Sequence, residues 1–310
     1  MLGRVAAWPA KQEPAAQPEV QPTASTPPQL GGLVRAASSA KASSRLRSAI
    51  KLAYQADRER SGLTWSAIRC SGLYATCPRA LWIGRDQNVQ DAGTINSVDL
   101  QWLYDTGHVN HWMLQNRVLR RLGDVHQGWW RCQACGLLYR GDRMDMTWRW
   151  IPCPPTCECG AKDFWYVEVE LDDGQGLTGH IDSVLVWPDR VVIVDFKSMD
   201  LRSKDAINPM LGGQCRVDHI FQAMTYVVLV GERYGCVLYF DRADRKIDDS
   251  MIEYEITLDD DLAGRIGERL RDCRSAMSGG PKPPRLPECP DRKTGPAKSC
   301  RVGTLCFSCD

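Results

Sequence analysis

A chain of 310 residues can bury one large core or two smaller ones, and its 43% hydrophobic and 25% charged residues are ordinary for a soluble globular protein. The 39 lysines and arginines nearly balance the 38 acids, so any nucleic-acid partner has to be argued from local chemistry rather than bulk charge. The longest apolar runs, such as YVVLV at 226–230, are far too short to span a membrane. Residues 1–41 are rich in Ala, Pro, Gln and Ser, cannot repay the entropy of ordering, and are expected to form a disordered tail. The opening MLGRVAAWPAKQEP lacks the apolar centre of a secretory leader, which predicts a cytoplasmic location. A second stretch, 42–128, reads as a helical part. It starts with ASSRLRSAIKLAYQADRERSG, whose Leu46, Ile50, Leu52 and Ala53 suggest an amphipathic helix. Ser97 then opens a helical stretch over about 98–122 with apolar residues at three- and four-residue spacing.

From 129 to 163 the texture changes to Cys, Trp, Gly and Pro. Fourteen cysteines in a reducing compartment favour metal over disulfides, although Cys215, Cys236 and Cys273 stand alone and read as small buried residues. Cys132-x2-Cys135 followed by Cys157-x-Cys159 describes two knuckles of an inserted zinc ribbon, with Cys153 as the alternative to Cys157. Trp129, Trp130, Trp148, Trp150 and Trp165 offer either stacking surfaces for single-stranded bases or a small core for the ribbon.

Residues 164–278 look like the main folded body: strands FWYVEVEL, GHIDSVLVW and VVIVDFKS, a helix over about 218–234, strands CVLYFDR and MIEYEITL, and a helix over about 259–277. VVIVDFKS puts Asp195 and Lys197 on the strand face that carries Val191 and Ile193, where an unpaired charge would cost roughly 2–5 kcal/mol. A turn at Pro188–Arg190 brings Asp182 opposite Asp195. Two carboxylates and a lysine make a hard, oxygen-rich site suited to Mg²⁺ or Mn²⁺ and to phosphoryl chemistry. His111 and Gln115 share one helix face, as do Gln222 and Tyr226.

Gly107-x3-His111, Gly179-x2-Asp182, Asp195-x-Lys197 and Gln222-x3-Tyr226, in that order, resemble the PD-(D/E)XK nuclease superfamily and specifically its RecB-like branch. The resemblance implies an α/β, restriction-endonuclease-like fold: a mixed central sheet flanked by helices. It also implies that His111, Asp182, Asp195 and the carbonyl of Phe196 bind metal. Lys197 would then assist catalysis, and Gln222 and Tyr226 would contact the substrate backbone or support the lysine.

The branch includes iron–sulfur nucleases such as AddB and the CRISPR-associated exonucleases. Cys77-Pro78-Arg79 resembles their leading cysteine segment, and Cys300-x5-Cys306 half of their tail pattern. By that resemblance Cys77, Cys300, Cys306 and either Cys289 or Cys309 hold a [4Fe–4S] cluster that staples the tail, 279–310; a second zinc with the same ligands is the alternative. The function implied is a metal-dependent DNA nuclease, an exonuclease acting in repair, recombination or phage DNA processing on DNA with single-stranded ends. A non-catalytic DNA-binding module and a zinc-ribbon RNA-binding protein are the alternatives. No G-x-x-x-x-G-K-[ST] phosphate loop occurs, so unwinding would need a helicase or recombination partner.

Overall fold

The computed structural model describes residues 49, 51–53, 60, 61, 67–86, 94, 95, 97–141, 143, 144, 147, 148, 150–199, 214–241, 251–293, 297, 298 and 300–308. The expected disordered tail, Cys309 and most of the first amphipathic helix lie outside the described residues; Ala49 and Lys51–Ala53 are helical. The body forms one compact unit, Leu52–Asp310.

In chain order the principal elements are α1 (Pro78–Asp86), α2 (Val98–Met113), β1 (His126–Cys132), β2 (Leu138–Tyr139), β3 (Ile151–Pro152), β4 (Phe164–Val167), β5 (Val169–Asp172), β6 (Leu177–Ile181), β7 (Ser183–Val186), β8 (Val191–Met199), α3 (Val217–Val230), β9 (Tyr234–Asp241), β10 (Met251–Thr257), α4 (Asp260–Ser278) and α5 (Gly303–Ser308). The central sheet runs β10-β9-β8-β7-β1-β2, with β3 and β4 also paired to β1. It is mixed, since β8 and β9 are parallel while the other pairs are antiparallel. A second sheet of three strands joins β5 and β6 to the short segment Ile68–Arg69.

The α/β class and most expected elements stand, with four differences, one being that the helix expected to reach about residue 234 ends at Val230, where Gly231 caps it in the left-handed region. The helix expected to run to residue 122 is α-helical only to Met113. Leu114–Val118 is a π turn and Leu119–Val125 a 3₁₀ segment. FWYVEVEL is two strands broken at Glu168, and GHIDSVLVW is two strands broken at Asp182. The expected helix start survives intact: Ser97 Oγ accepts the Leu100 N–H at 3.1 Å.

Strand β8 is buried on both faces, as the central strand of a covered sheet should be. Ile193 packs against Phe221, Met224 and Val227 of α3 in the main core. Val192, Val194 and Phe196 face the opposite way, into a smaller core with Leu114, Cys236 and Phe240. This alternation sends Asp195 and Lys197 toward α3, as expected from their positions in the strand. Helix α4 covers the main core through Ile266, Leu270, Cys273 and Ala276, capped by Asp259 on the Leu262 N–H. Among the described residues no helix is long and apolar enough to cross a membrane.

Candidate active site and cysteine clusters

The hairpin β7–β8 pairs Ser183 with Val194 and Val186 with Val191, so the next position outward sets Asp182 against Asp195. Strand β6 pairs Ile181 with Val169, so the same extension sets Asp182 against Glu168. Glu168 and Asp182 are therefore the two points where the chain passes from the small sheet to the central one. Three acids stand in a row across three strands at that seam.

Asp182 is buried, and its Oδ2 accepts the Phe196 N–H at 2.6 Å while Oδ1 lies 3.4 Å from His111 Nδ1. A strand residue's N–H and C=O leave on the same edge, so the Phe196 carbonyl is directed to the side on which Asp182 lies. The His111 ring meets Phe196 and Phe240 edge-on, which fixes its plane. Burial alone would lower the His111 pKa; the hydrogen bond and charge of Asp182, with the charge of Glu168, raise it above the ordinary value.

Asp195 is fully enclosed, and burial pushes its pKa up to about 6 against the pull of Lys197. Lys197 Nζ is 2.6 Å from Asp195 Oδ2 and donates to Gln222 Oε1 at 3.0 Å. Gln222 Nε2 in turn donates to Asp195 Oδ1 at 3.1 Å and to the Tyr226 hydroxyl at 3.0 Å. A Cβ at Gly179 would meet the Tyr226 ring and Cys70 Sγ at 2.8 Å, so the first glycine of Gly179-x2-Asp182 makes room for the tyrosine. Gly107 has open space around it and no such steric duty among the described residues.

Every residue anticipated for the nuclease site thus converges on one locus, together with two that were given no role at the metal. Glu168 lies within metal-ligating reach of His111 and Asp182. Gln115 donates to the Asp182 carbonyl at 2.7 Å and to Glu168 Oε1 at 3.4 Å. Glu168 sits at a slip in strand phase that only the burial reveals: Phe164 and Tyr166 are buried on one parity, Val169 and Leu171 on the other. An acid at the slip is carried inward with the first set.

The sequence profile of the PD-(D/E)XK nuclease superfamily matches residues 64–307. The chain belongs to that superfamily. No curated protein matches it. Among solved structures it is similar to SSO0001, at 14% identity over 85% of this chain and 97% of that one, with a TM-score of 0.35. It is similar to the alkaline exonuclease LHK-Exo of Laribacter hongkongensis, at 14% identity over 69% and 89%, with a TM-score of 0.38. It is also similar to a phage-related exonuclease of Haemophilus somnus 129PT, at 13% identity over 68% and 93%, with a TM-score of 0.40. Likeness of that degree carries no functional argument; membership in the PD-(D/E)XK superfamily rests on the profile.

Two further groups of cysteines frame this nuclease body. Cys132, Cys135, Cys157 and Cys159 place their sulfurs within 4.8 Å of one another, and Cys153 is not among them. Cys132 and Cys159 are 3.7 Å apart, Cys135 and Cys157 3.5 Å. A tetrahedron with metal–sulfur bonds of about 2.3 Å has edges of about 3.8 Å, so the four thiols fit a zinc-sized ion. Burial raises the Cys157 pKa, but the Tyr139 hydroxyl and Cys132 outweigh it and bring the thiol down to about 6. The first knuckle sits on the end of β1, so the ribbon grows directly out of the central sheet.

The tryptophans mostly serve packing. Trp130 is fully buried, Trp129 and Trp150 pack on the main core, and Trp165 is 46% exposed; the Trp148 side chain lies outside the described residues.

The tail packs on α1. Buried Arg79 donates to Cys306 Sγ at 3.2 Å, to the Cys306 carbonyl at 3.3 Å and to the Pro283 carbonyl at 3.0 Å. Burial raises the Cys77 thiol, and the charges of Cys300 and Cys289 raise it further. Cys289 is raised likewise by burial, Cys300 and Cys306. Cys300 and Cys289 thus stand close enough to act on Cys77, and Cys300 and Cys306 close enough to act on Cys289. Of the lone cysteines, Cys236 and Cys273 are buried apolar positions as expected, and Cys215 is half-buried, 3.4 Å from the Tyr239 hydroxyl.

Proposed function

We propose that this chain is a Mg²⁺- or Mn²⁺-dependent deoxyribonuclease of the RecB-like branch, an exonuclease serving DNA repair, recombination or phage DNA processing. The observation that carries the reading is the meeting of His111, Asp182, Asp195 and Lys197 at one seam, with Gln222 and Tyr226 bracing the lysine. The donor set is one imidazole and several carboxylate or carbonyl oxygens, which suits a hard divalent cation held by His111, Asp182, Asp195 and the Phe196 carbonyl. When bound there, such an ion would supply Lewis-acid chemistry, polarising a phosphoryl oxygen and making a nearby water more acidic. Lys197 supplies a positive charge beside the scissile phosphate and stabilises the charge that grows on it in the transition state. Gln222 holds Asp195 and Lys197 in register, and Tyr226 holds Gln222.

The reading extends to the cysteines. Cys132, Cys135, Cys157 and Cys159 bind Zn²⁺ and rigidify the insert. Cys77, Cys289, Cys300 and Cys306 bind a [4Fe–4S] cluster, a reading supported by the electrostatic proximity of their thiols. The substrate is DNA with single-stranded ends, presented by a helicase or recombination partner in the cytoplasm.

The deciding experiment digests end-labelled single- and double-stranded DNA with purified protein in Mn²⁺, Mg²⁺ and EDTA. Metal-dependent release of labelled mononucleotides or short oligonucleotides is expected. Tight DNA binding with no cleavage in either metal would leave a non-catalytic DNA-binding module in its place.

A further inference from the structure

The site has a carboxylate more than its motif residues require, and that carboxylate sits on the side away from the lysine. Asp195 already has a partner at each oxygen: Lys197 lies against one and Gln222 donates to the other. His111, Glu168 and Asp182 make a separate half, their ligand atoms all within 4.8 Å of one another. Register puts Glu168 directly beside Asp182, where the chain changes sheets. The π turn at Leu114–Val118 swings Gln115 inward, and its one amide reaches both the Glu168 carboxylate and the Asp182 carbonyl. Glu168 therefore has a built orientation and lies where two anionic oxygens and an imidazole nitrogen converge. Such a convergence is costly unless a cation joins it.

We propose that Glu168 is a direct ligand of a divalent cation, and that His111, Glu168 and Asp182 load that ion independently of Asp195. This rests on the nuclease reading for the identity of the ion, Mg²⁺ or Mn²⁺, and goes beyond it in assigning the ligand and the order of assembly. The ion-loading half takes its ligands from α2 and from the β4–β5 and β6–β7 junctions, all fixed before any substrate arrives. Asp195 then completes the ligand set, and Lys197 is left to meet the phosphate.

The test measures Mn²⁺ binding to the full chain without DNA, reading free Mn²⁺ by electron paramagnetic resonance after zinc and iron contents are shown to be equal between variants. Glu168→Gln keeps the side-chain volume and a hydrogen-bonding partner for Gln115, and is expected to weaken Mn²⁺ binding by about tenfold or more. Asp182→Asn should lose a comparable amount, and Asp195→Asn less than about threefold. Wild-type affinity in folded Glu168→Gln would overturn the ligand assignment. A loss in Asp195→Asn as large as that in Glu168→Gln would overturn independent loading.

Should Glu168→Gln fail to fold, Glu168→Asp decides. A weakened but measurable Mn²⁺ affinity supports direct ligation, because the carboxylate is drawn back by one methylene; unchanged affinity overturns it. Because no DNA is present, a chain that binds Mn²⁺ in this pattern yet cleaves nothing would sink the nuclease reading and leave this assignment standing. Cleavage with normal Mn²⁺ binding in Glu168→Gln would do the reverse.

Discussion

The carboxylate of Asp182 accepts the backbone N–H of Phe196 at 2.6 Å, across the junction between two sheets. One acid thus anchors the strand that carries Asp195 and Lys197 while offering its other oxygen to His111. Geometry and chemistry are coupled at this residue. In the D-x-K strand itself they are separable, because Asp195 and Lys197 lie on a strand already held by Val192, Ile193 and Val194 in two cores.

Asp195→Ala and Lys197→Ala should each lower DNA cleavage by about 10²-fold or more while leaving the fold and DNA binding in place; Lys197→Ala should also cost some stability at pH 7.5, because the buried Asp195 loses its cation. Asp182→Ala should lose cleavage too, and in addition about 1–3 kcal/mol of stability, since the buried Phe196 N–H loses its acceptor. Cleavage assays beside denaturant titrations separate the two patterns. Wild-type cleavage rates in the Asp195 and Lys197 variants would remove them from the reaction.

One zinc per chain is expected in the ribbon. The paired sulfurs at 3.5 and 3.7 Å leave room for an ion of that size at their centre. Changing Cys132 and Cys135 to Ser should remove that zinc and leave iron unchanged in elemental analysis. It should also loosen β2, because Tyr139 bonds to Cys157 and to the Glu158 N–H. Undiminished zinc in the double variant would refute the site.

Strand β8 and its hairpin partner were legible because β-branched runs flank a Pro-Asp turn, and the alternation of a strand then dictates where Asp195 and Lys197 point. The helix that carries Gln222 was legible from its apolar spacing and ends at Gly231 in a left-handed cap. What escaped was non-local. Nothing in VEVEL announces that the chain leaves one sheet for another at Glu168, because Val167, Val169 and Leu171 alternate without a break and the slip shows only in which residues become buried. The π turn that turns Gln115 inward is set by its bond to the Asp182 carbonyl, 67 residues away, and has no local signature. Helix α5 has six residues, too few for a periodic pattern, and is held by Arg79 from the far end of the chain.

That Arg79–Cys306 contact bears on the cluster. If Cys77, Cys289, Cys300 and Cys306 bind [4Fe–4S], anaerobically purified protein should be brown, and Cys77→Ser and Cys300→Ser should each bleach it and expose the tail to protease. Cys289→Ser should bleach it as well, whereas Cys309→Ser should not. Arg79, with three bonds into the tail, would still hold α5 in part. Tail cleavage in the bleached variants should accordingly be slower than in the same variants carrying Arg79→Met. Colourless wild-type protein with two zinc ions and no iron would show that the tail thiols hold zinc instead.

The last prediction concerns acid. His126 is fully buried, stacked on Tyr166 at 4.4 Å and edge-on to Trp130, and neither ring nitrogen meets a partner among the described residues. Burial lowers its pKa from 6.5 to about 4. Between those values the unfolded chain holds a proton on this imidazole that the folded chain does not, so falling pH favours unfolding. The stability is fully present above about pH 6.5 and drains away as pH falls toward 4, amounting to roughly 3 kcal/mol at 1.36 kcal/mol per unit. His126→Leu removes both unpartnered nitrogens at similar volume, and should be near neutral or stabilising at pH 7.5. It should then lose less stability than the wild type between pH 6.5 and 4.5, as read from denaturant midpoints at four pH values. Release of metal from protonated thiolates acts on both proteins and drops out of the difference. An equal acid loss in the two would place the sensitivity elsewhere than at His126.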